Sequence, residues 1–238
     1  MGVFEYILLF ASVMISGSLF FMLKKTNPVY LKLSLAFTGS YLFTISMIHL
    51  VPGVFSSGGS TIGYYILIGF FIQLFLEHLT GGIEHGHIHL HQDHHHSFPF
   101  TMMAGLCLHS FLEGMPLASG LNGHHDSEQL LTGIILHHLP VSFALVSMLT
   151  GSGVNKKGTL VYLAVFALMA PAGAFVSEFL SGMQLLDIHL YFDRIMGVVI
   201  GIFLHISTTI LFETSSEHRF NLYKMAVILL GAAAVILF

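Results

Sequence analysis

Two apolar stretches of the chain carry histidine and glutamate side chains whose spacing suits metal binding. In the first, His109 and Glu113 are four residues apart, and in the second, His137 and His138 lie just before Pro140. Positions i and i+4 share one face of an α-helix, so His109 and Glu113 point the same way. Ionisable groups are costly inside a membrane and by default mark a functional site there. We therefore predict a site for a divalent transition metal ion.

The adjacent histidines of the second stretch pose a geometric problem. Adjacent helix positions diverge by about 100°, so His137 and His138 face one point only if the helix distorts. Pro140 supplies a reason for distortion, because proline removes a backbone N–H. Alternatively, the two histidines serve neighbouring positions along a path. The hydroxyl of Ser142 is expected to bond back to the preceding helical turn.

The ligand types narrow the choice of ion. One carboxylate and several neutral imidazoles leave a net positive centre around a dication, so we expect moderate affinity that allows release. Mg²⁺ and Ca²⁺ prefer oxygen ligands and would need more carboxylates, whereas imidazole suits zinc, iron(II), manganese and similar ions. The single Cys107 excludes a multi-thiolate site. A structural hydrogen bond between helices is the other interpretation of the carboxylate and the imidazoles.

A histidine-rich segment lies between the third and fourth apolar stretches. It holds seven of the 17 histidines of the chain within 13 residues, Glu84–His96. They are His85, His87, His89, His91, His94, His95 and His96. A tract of this composition offers many ligand combinations, so we interpret it as a cytoplasmic loop, residues 82–98, that captures or senses metal. The alternative is a solvated low-complexity loop that binds metal only adventitiously.

Composition places the whole chain in a membrane. It has 238 residues, of which 55% are hydrophobic and 8% charged. Apolar runs near the roughly 20 residues needed to cross a bilayer recur along its length. We predict an all-α polytopic protein with eight transmembrane helices that forms one transporter domain over residues 1–238. The predicted spans are about 3–23, 31–51, 62–80, 99–120, 129–150, 158–180, 190–212 and 221–238. The net charge of −4 excludes nucleic acid as a partner and leaves the lipid bilayer.

The distribution of positive charge predicts the orientation. With the N-terminus outside, only Arg194 falls in an outer loop. The inner loops then hold seven cationic residues, Lys24, Lys25, Lys32, Lys156, Lys157, Arg219 and Lys224. Cytoplasmic loops are enriched in lysine and arginine, so both termini should be extracytoplasmic. The plasma (cell inner) membrane is the predicted location.

The order of the spans suggests an internal repeat. Eight spans divide into three, two and three, which is the plan of many transporters built from inverted repeats. The segments Gly39–Leu42 and Gly201–Leu204 share a Gly-x-aromatic-Leu pattern at similar places in spans two and seven. This match is short, and coincidence explains it equally well. We predict a 3+2+3 arrangement with an inverted repeat.

The remaining intramembrane ionisable residues are given structural roles. His49 and His205 each stand alone in the sequence and are interpreted as packing or path-lining groups. Several others lie near span ends, where a polar group reaches water easily. They are Glu77, His78, Glu178 and Glu213. A polar turn is the simplest interpretation of the outer cluster His124, His125 and Asp126.

These motifs resemble the ZIP family of zinc and iron transporters. The segment His109–Gly114 is similar to the family's fourth-span signature, in which a histidine, a polar neighbour and an acidic residue bind metal. The segment His137–Pro140 is similar to the family's fifth-span His-x-x-Pro. Eight spans, outward termini and a histidine-rich third loop also fit, so the resemblance extends over essentially the whole chain.

The resemblance implies uptake of a divalent metal into the cytoplasm. In the family the metal lies between helices four and five, and an elevator-like movement of one helix group past another has been proposed. By this resemblance His109, Glu113 and His137 form the main site, and Ser110 and His138 occupy the places of a neighbouring second site. Zinc is the first expected substrate, with iron, manganese, cobalt and cadmium as others. No catalytic cofactor is implied, and a homodimer is left open.

The chain departs from the family pattern at three positions. Val141 stands where many members have an acidic residue or histidine one turn after the fifth-span histidine. Leu112 replaces a proline found in some members, and Ala170 replaces a carboxylate in span six. Because Val141 and Ala170 stand in place of possible ligands, the chain is expected to bind one metal ion per cycle and not to form a two-metal centre.

Two other functions compete with transport. An intramembrane zinc hydrolase would use bound metal to activate a water molecule, but it needs a general base besides its ligands. The chain has no His-Glu-x-x-His motif, so Glu113 would have to serve as ligand or base. A membrane metal sensor would respond through the histidine-rich loop. Metal transport is the function that we predict.

Overall fold

The computed structural model describes residues 1–23, 28–83, 100–118, 124–183, 188–213 and 222–237. Within these ranges the chain is helical and contains no strand, as predicted for an all-α polytopic protein. The helices are α1 Val3–Leu19, α2 Pro28–Ile45, α3 Val51–Gly58, α4 Ile62–Thr80, α5 Phe100–Gly114, α6 His124–Gly151, α7 Lys156–Gly182, α8 Ile188–Glu213 and α9 Leu222–Leu237.

Five spans of the described chain are long and apolar enough to cross a membrane. They are Val29–Gly58, Ile62–Thr80, Ser127–Gly151, Lys156–Gly182 and Tyr191–Phe212. The apolar helices α1 and α9 are shorter. Because α2 and α3 form one continuous span, the described chain has eight helical segments in the predicted order, and the polytopic all-α fold is confirmed.

The second span is longer than the predicted 31–51. A π-helical turn, Ser46–Leu50, joins α2 directly to α3, and the amide of Val51 donates to the carbonyl of Ser46 five residues back. The extra residue in this turn lies just before Pro52, which has no N–H to give to the helical ladder. The helix therefore continues past the proline and ends before Gly59, whose φ of 65° favours glycine.

The fourth span is shorter than predicted. The α-helix α5 ends at Gly114 and continues only as a 3₁₀ turn, Met115–Leu117. Pro116 accounts for this ending, because a proline lacks the N–H of the ladder and disfavours α-helical geometry in the residue before it. Glu113 therefore occupies the last turn of α5.

The helices pack as two groups. In one, α4 lies along α8 and α2 along α9, and in the other, α5 lies along α7 and α1 along α6 and α7. The predicted inverted repeat relates α1 to α7, α2 to α8, α4 to α9 and α5 to α6. Under this relation, the pair α4–α8 corresponds to the pair α2–α9, and the pair α5–α7 corresponds to the pair α1–α6. These pairings are those expected of the predicted 3+2+3 arrangement.

Glycines bring α5 and α7 into close backbone contact. A Cβ atom on Gly114 would overlap the carbonyl oxygen of Ala170, and one on Gly173 would overlap the carbonyl oxygen of Phe111. Small residues at helix crossings allow this approach within a membrane. The contact holds α5 in place, and α5 carries His109 and Glu113.

Candidate metal site

Three side chains from two consecutive helices converge inside the molecule. His109 and Glu113 come from α5 and His137 from the middle of α6. One potential ligand atom from each lies within 4.8 Å of the others, and all three residues are 0% exposed. The i,i+4 spacing on α5 places its two side chains on one face, as predicted. The structure therefore brings together the three residues predicted as the main ligands.

Several polar atoms of this trio are buried without a hydrogen-bond partner. Within the described chain, both ring nitrogens of His137 lack one, and so does Oε1 of Glu113. That oxygen lies 3.3 Å from Nε2 of His109. A buried, unsatisfied polar atom costs about 1–3 kcal/mol. Imidazole nitrogens and a carboxylate oxygen are ligands for zinc and related ions, so the donor set fits a cation at this point.

The ligand atoms are more widely spaced than those around a bound zinc ion. In tetrahedral coordination with Zn–N distances of about 2.0–2.1 Å, two ligand nitrogens are about 3.3 Å apart. The three ligand atoms of the trio lie within 4.8 Å of one another, so they would move closer by about 1.5 Å on binding. The rings of His109 and His137 meet edge to face, with centroids 6.0 Å apart. Small side-chain rotations therefore suffice to bring the three ligands onto one ion.

His138 contacts the other oxygen of the same carboxylate. Its Nε2 lies 2.9 Å from Oε2 of Glu113, and its ring packs against Phe166 of α7 with centroids 5.4 Å apart. Because α6 stays helical through Pro140, the helix distortion predicted from the sequence is not needed. Glu113 therefore contacts His109 through Oε1 and His138 through Oε2.

The two serines near the site have different surroundings. Ser110 follows His109 on α5 and is almost fully buried. Ser142 donates a hydrogen bond of 2.9 Å from its hydroxyl to the carbonyl of Leu139. The prediction that the Ser142 hydroxyl bonds back to the preceding turn is confirmed.

Gln73 is a site residue that the sequence analysis does not predict. It lies on α4, is fully buried, and its Oε1 is 3.1 Å from Nδ1 of His109. A signal was present, because Gln73 interrupts the otherwise apolar run from Ile62 to Leu76. A buried amide in such a run needs a hydrogen-bond partner.

A second histidine–glutamate contact lies between α4 and α8. His205, which the sequence predicts to be a packing or path-lining group, has its Nε2 3.4 Å from Oε2 of Glu77. The ring of His205 also packs edge to face on Phe70, with centroids 4.8 Å apart. The predicted packing role of His205 is therefore consistent with its surroundings. Nothing in the sequence indicated its partner, because Glu77 lies on a different helix, far away along the chain.

Other ionisable residues fall outside the trio. Glu178 accepts a 2.8 Å hydrogen bond from the Tyr6 hydroxyl and lies 3.5 Å from the amino group of Met1, and His78 is exposed. The predicted loop ligands lie outside the described residues. They are His85, His87, His89, His91, His94, His95 and His96. The side chains of His124, His125, Asp126 and Glu213 are outside them as well.

Comparison with known proteins identifies the family of the chain. The family described as ZIP Zinc transporter matches residues 99–238, which is more than half of the chain and includes α5 and α6. A zinc transporter ZIP9 from Micropogonias undulatus is 31% identical over 122 residues, covering 49% of this chain and 38% of that protein.

Further relatives carry the same description. A zinc transporter ZIP9 from Xenopus tropicalis is 30% identical over 112 residues, covering 46% of this chain and 37% of the relative. One from Macaca fascicularis is 33% identical over 75 residues, covering 31% and 32%. The matches thus span less than two fifths of the length of these relatives. Because the family match includes more than half of the sequence, this membrane protein belongs to the ZIP zinc transporter family.

Proposed function

We propose that the chain transports divalent transition-metal ions, zinc foremost, through a site between α5 and α6. His109, Glu113 and His137 are the ligands in this proposal. The observation that carries it is their convergence, fully buried, with both nitrogens of His137 lacking a hydrogen-bond partner in the described chain. Buried nitrogens without a hydrogen-bond partner do not stabilise the folded protein, but they can bind a cation during transport. The relatives named zinc transporters support zinc as the first substrate, with iron, manganese, cobalt and cadmium as others.

The charge of the trio suits transport better than storage. Glu113 contributes the only carboxylate, and the two imidazoles bind metal as neutral groups. A dication at this point keeps a net positive charge in a region without water, which limits its affinity. A transporter must release the ion that it binds, so moderate affinity favours turnover.

The surroundings of the trio support one metal ion per cycle. Val141 and Ala170 are both buried, Val141 within an apolar cluster, and neither side chain offers a ligand. His138 is engaged with Glu113 and packs on Phe166. Ser110 and His138 therefore take supporting roles in this proposal, next to a single ion.

The ends of the helices support the proposed orientation, with import into the cytoplasm. Lys156, at the start of α7, lies over the ring of Phe21 at 5.0 Å, and Lys224 of α9 donates to the carbonyl of Leu211 near the end of α8. Because successive spans alternate in direction, the start of α7 and the end of α8 lie at the same end of the bundle. Arg194 lies near the beginning of α8, whose other end adjoins that cationic face. The cationic end is cytoplasmic in our proposal, both termini are extracytoplasmic, and the location is the plasma (cell inner) membrane.

The proposal assigns no enzymatic reaction to the chain. Within the described residues, the trio is the only cluster of three metal-binding side chains. A metallohydrolase would need a base in addition to its ligands, and Glu113 is already a ligand here. Loop residues 85–96 serve in metal capture, and homodimer formation stays a prediction.

Reconstitution tests the proposal directly. Purified protein in liposomes is expected to take up zinc, and a panel of Fe(II), Mn, Co and Cd ranks the other ions. His109→Ala and Glu113→Ala should each reduce uptake at least 100-fold, because either change removes one of three ligands. His78→Ala removes an exposed histidine and serves as the matched control, with uptake unchanged. Wild-type uptake rates in either trio variant would refute the assignment.

A further inference from the structure

Gln73 contacts the proposed site from a helix outside the pair that carries the ligands. We propose that Gln73 is a positioning residue that holds His109 in the tautomer and orientation needed to bind metal through Nε2. This inference rests on the proposed function, because it assigns a role at the same site. It adds a third helix, α4, to those that determine metal affinity.

The hydrogen bond determines which ring nitrogen is available. Oε1 of Gln73 lies 3.1 Å from Nδ1 of His109, and an amide oxygen can only accept a hydrogen bond. In the tautomer that we propose, Nδ1–H of the neutral ring donates to this oxygen, and the lone pair is on Nε2. Nε2 lies 3.3 Å from Oε1 of Glu113, so the lone pair faces the trio. Metal-binding histidines commonly donate their other N–H to such a partner, which orients the ring and raises its basicity.

The position of Gln73 is itself fixed by packing. It follows Gly69 by one helical turn, and a Cβ atom on Gly69 would overlap the carbonyl oxygen of Val198 on α8. The backbone of α4 is thus held against α8 at the point where it presents the amide. Gln73 is fully buried, so its side chain has little freedom to leave His109. These features suit a group that positions a ligand.

The choice of an amide has a chemical consequence. A carboxylate at position 73 would accept the same N–H but would add a second negative charge beside the ion and tighten its binding. A leucine would fill similar space and accept nothing, which leaves both tautomers of His109 available. Glutamine, glutamate and leucine are therefore similar in size at this position but differ in their ability to accept the N–H of His109.

The tautomer can be measured without any substitution. Nitrogen-15 NMR of metal-free wild-type protein with labelled histidine distinguishes Nδ1–H from Nε2–H, and the spectrum of His109→Ala identifies the signal of His109. We expect the Nδ1–H form. An Nε2–H tautomer at His109 in the metal-free protein would overturn the inference.

Variants test the effect on the metal. Co²⁺ titration of the purified full chain, followed by its visible absorption, should show Gln73→Leu binding 10- to 100-fold more weakly, the usual cost of losing such a partner. Gln73→Glu keeps the acceptor and should bind at least as tightly as wild type. Gln129→Leu is the matched control, since Gln129 lies eight residues before His137, about 12 Å along α6, and binding should not change.

The outcomes separate this inference from the proposed function. If His109→Ala binds Co²⁺ as well as wild type does, the trio is not the metal site and both fail. If His109→Ala loses binding while Gln73→Leu matches wild type in affinity and spectrum, only the role of Gln73 fails. Weak binding by Gln73→Glu also overturns it, because the acceptor is then not what matters. If Gln73→Leu does not fold, the tautomer and the Gln73→Glu titration decide.

Discussion

The part of the chain that the structure describes holds two histidine–glutamate clusters whose histidines are buried, and they differ in almost every respect that bears on metal transport. The trio between α5 and α6 has three ligand atoms within 4.8 Å and is sealed from solvent. The pair between α4 and α8 has two side chains, His205 and Glu77, at 3.4 Å, and the side chain of Glu77 is 22% exposed. The ring of His205 has an aromatic neighbour in Phe70, whereas both ring nitrogens of His137 lack a hydrogen-bond partner in the described chain.

The difference shows what separates a candidate binding site from an ordinary contact. A single contact between two polar side chains contributes only modestly to net stability. Buried donors without partners cost stability, and they persist where a ligand uses them. The number of converging ligands and the absence of internal partners therefore indicate function better than the presence of a histidine next to a glutamate.

The largest effect that tests this comparison is expected at His137. His137→Leu removes two unpartnered buried nitrogens, so the metal-free protein should keep or raise its melting temperature. Loss of a ligand should reduce zinc uptake at least 100-fold, as at His109 and Glu113, and remove the stabilisation that zinc gives to the wild type. Thermal unfolding with and without zinc, together with liposome uptake, measures both. A strong fall in the melting temperature of the metal-free variant would mean that His137 is a structural residue.

A smaller effect is expected at the pair. Glu77→Gln and His205→Phe should each change the free energy of unfolding by about 1 kcal/mol, the usual net contribution of a single hydrogen bond. The half-saturating zinc concentration for uptake should stay within threefold of wild type, because neither residue belongs to the trio. Abolished uptake in either variant would break the comparison and place the pair on the path of the ion.

The smallest effect on maximal rate is expected from the histidine-rich loop. Replacing the seven loop histidines between residues 85 and 96 with serine keeps the loop length and removes its imidazoles. The maximal uptake rate should stay within twofold, while apparent affinity or regulation by cytoplasmic metal changes. Rate against zinc concentration in liposomes separates the two quantities. Loss of transport in this variant would show that the trio is not the main site.

Much of the fold was predictable because a membrane imposes a simple pattern. Each span needs a long apolar run, so the order and approximate limits of the helices follow from composition. The errors lie where proline acts locally. Near Pro52 the helix absorbs the missing N–H in a π-helical turn and continues to Gly58, whereas at Pro116 the helix α5 stops. Both outcomes depend on neighbouring helices as well as on the proline.

The candidate site was predictable in part for the same kind of reason. His109 and Glu113 share a helix, so their spacing alone places them on one face. The hydrogen bond from His109 to Gln73 and the contact of His205 with Glu77 join distant parts of the chain. Periodicity within one helix carries no information about such partners.

The sequence by itself determined that this protein lies in a membrane. It also determined the order of the helices and the residue types able to bind a dication. These follow from local quantities, namely the length of apolar runs and the chemistry of side chains at helical spacing. Only the tertiary structure decided that His137 meets His109 and Glu113, while His138 contacts Oε2 of Glu113. It also decided that Gln73 contacts His109. The physical reason is that helix rotation and register are set by packing contacts between helices, such as those of Gly114 and Ala170, which no single segment contains.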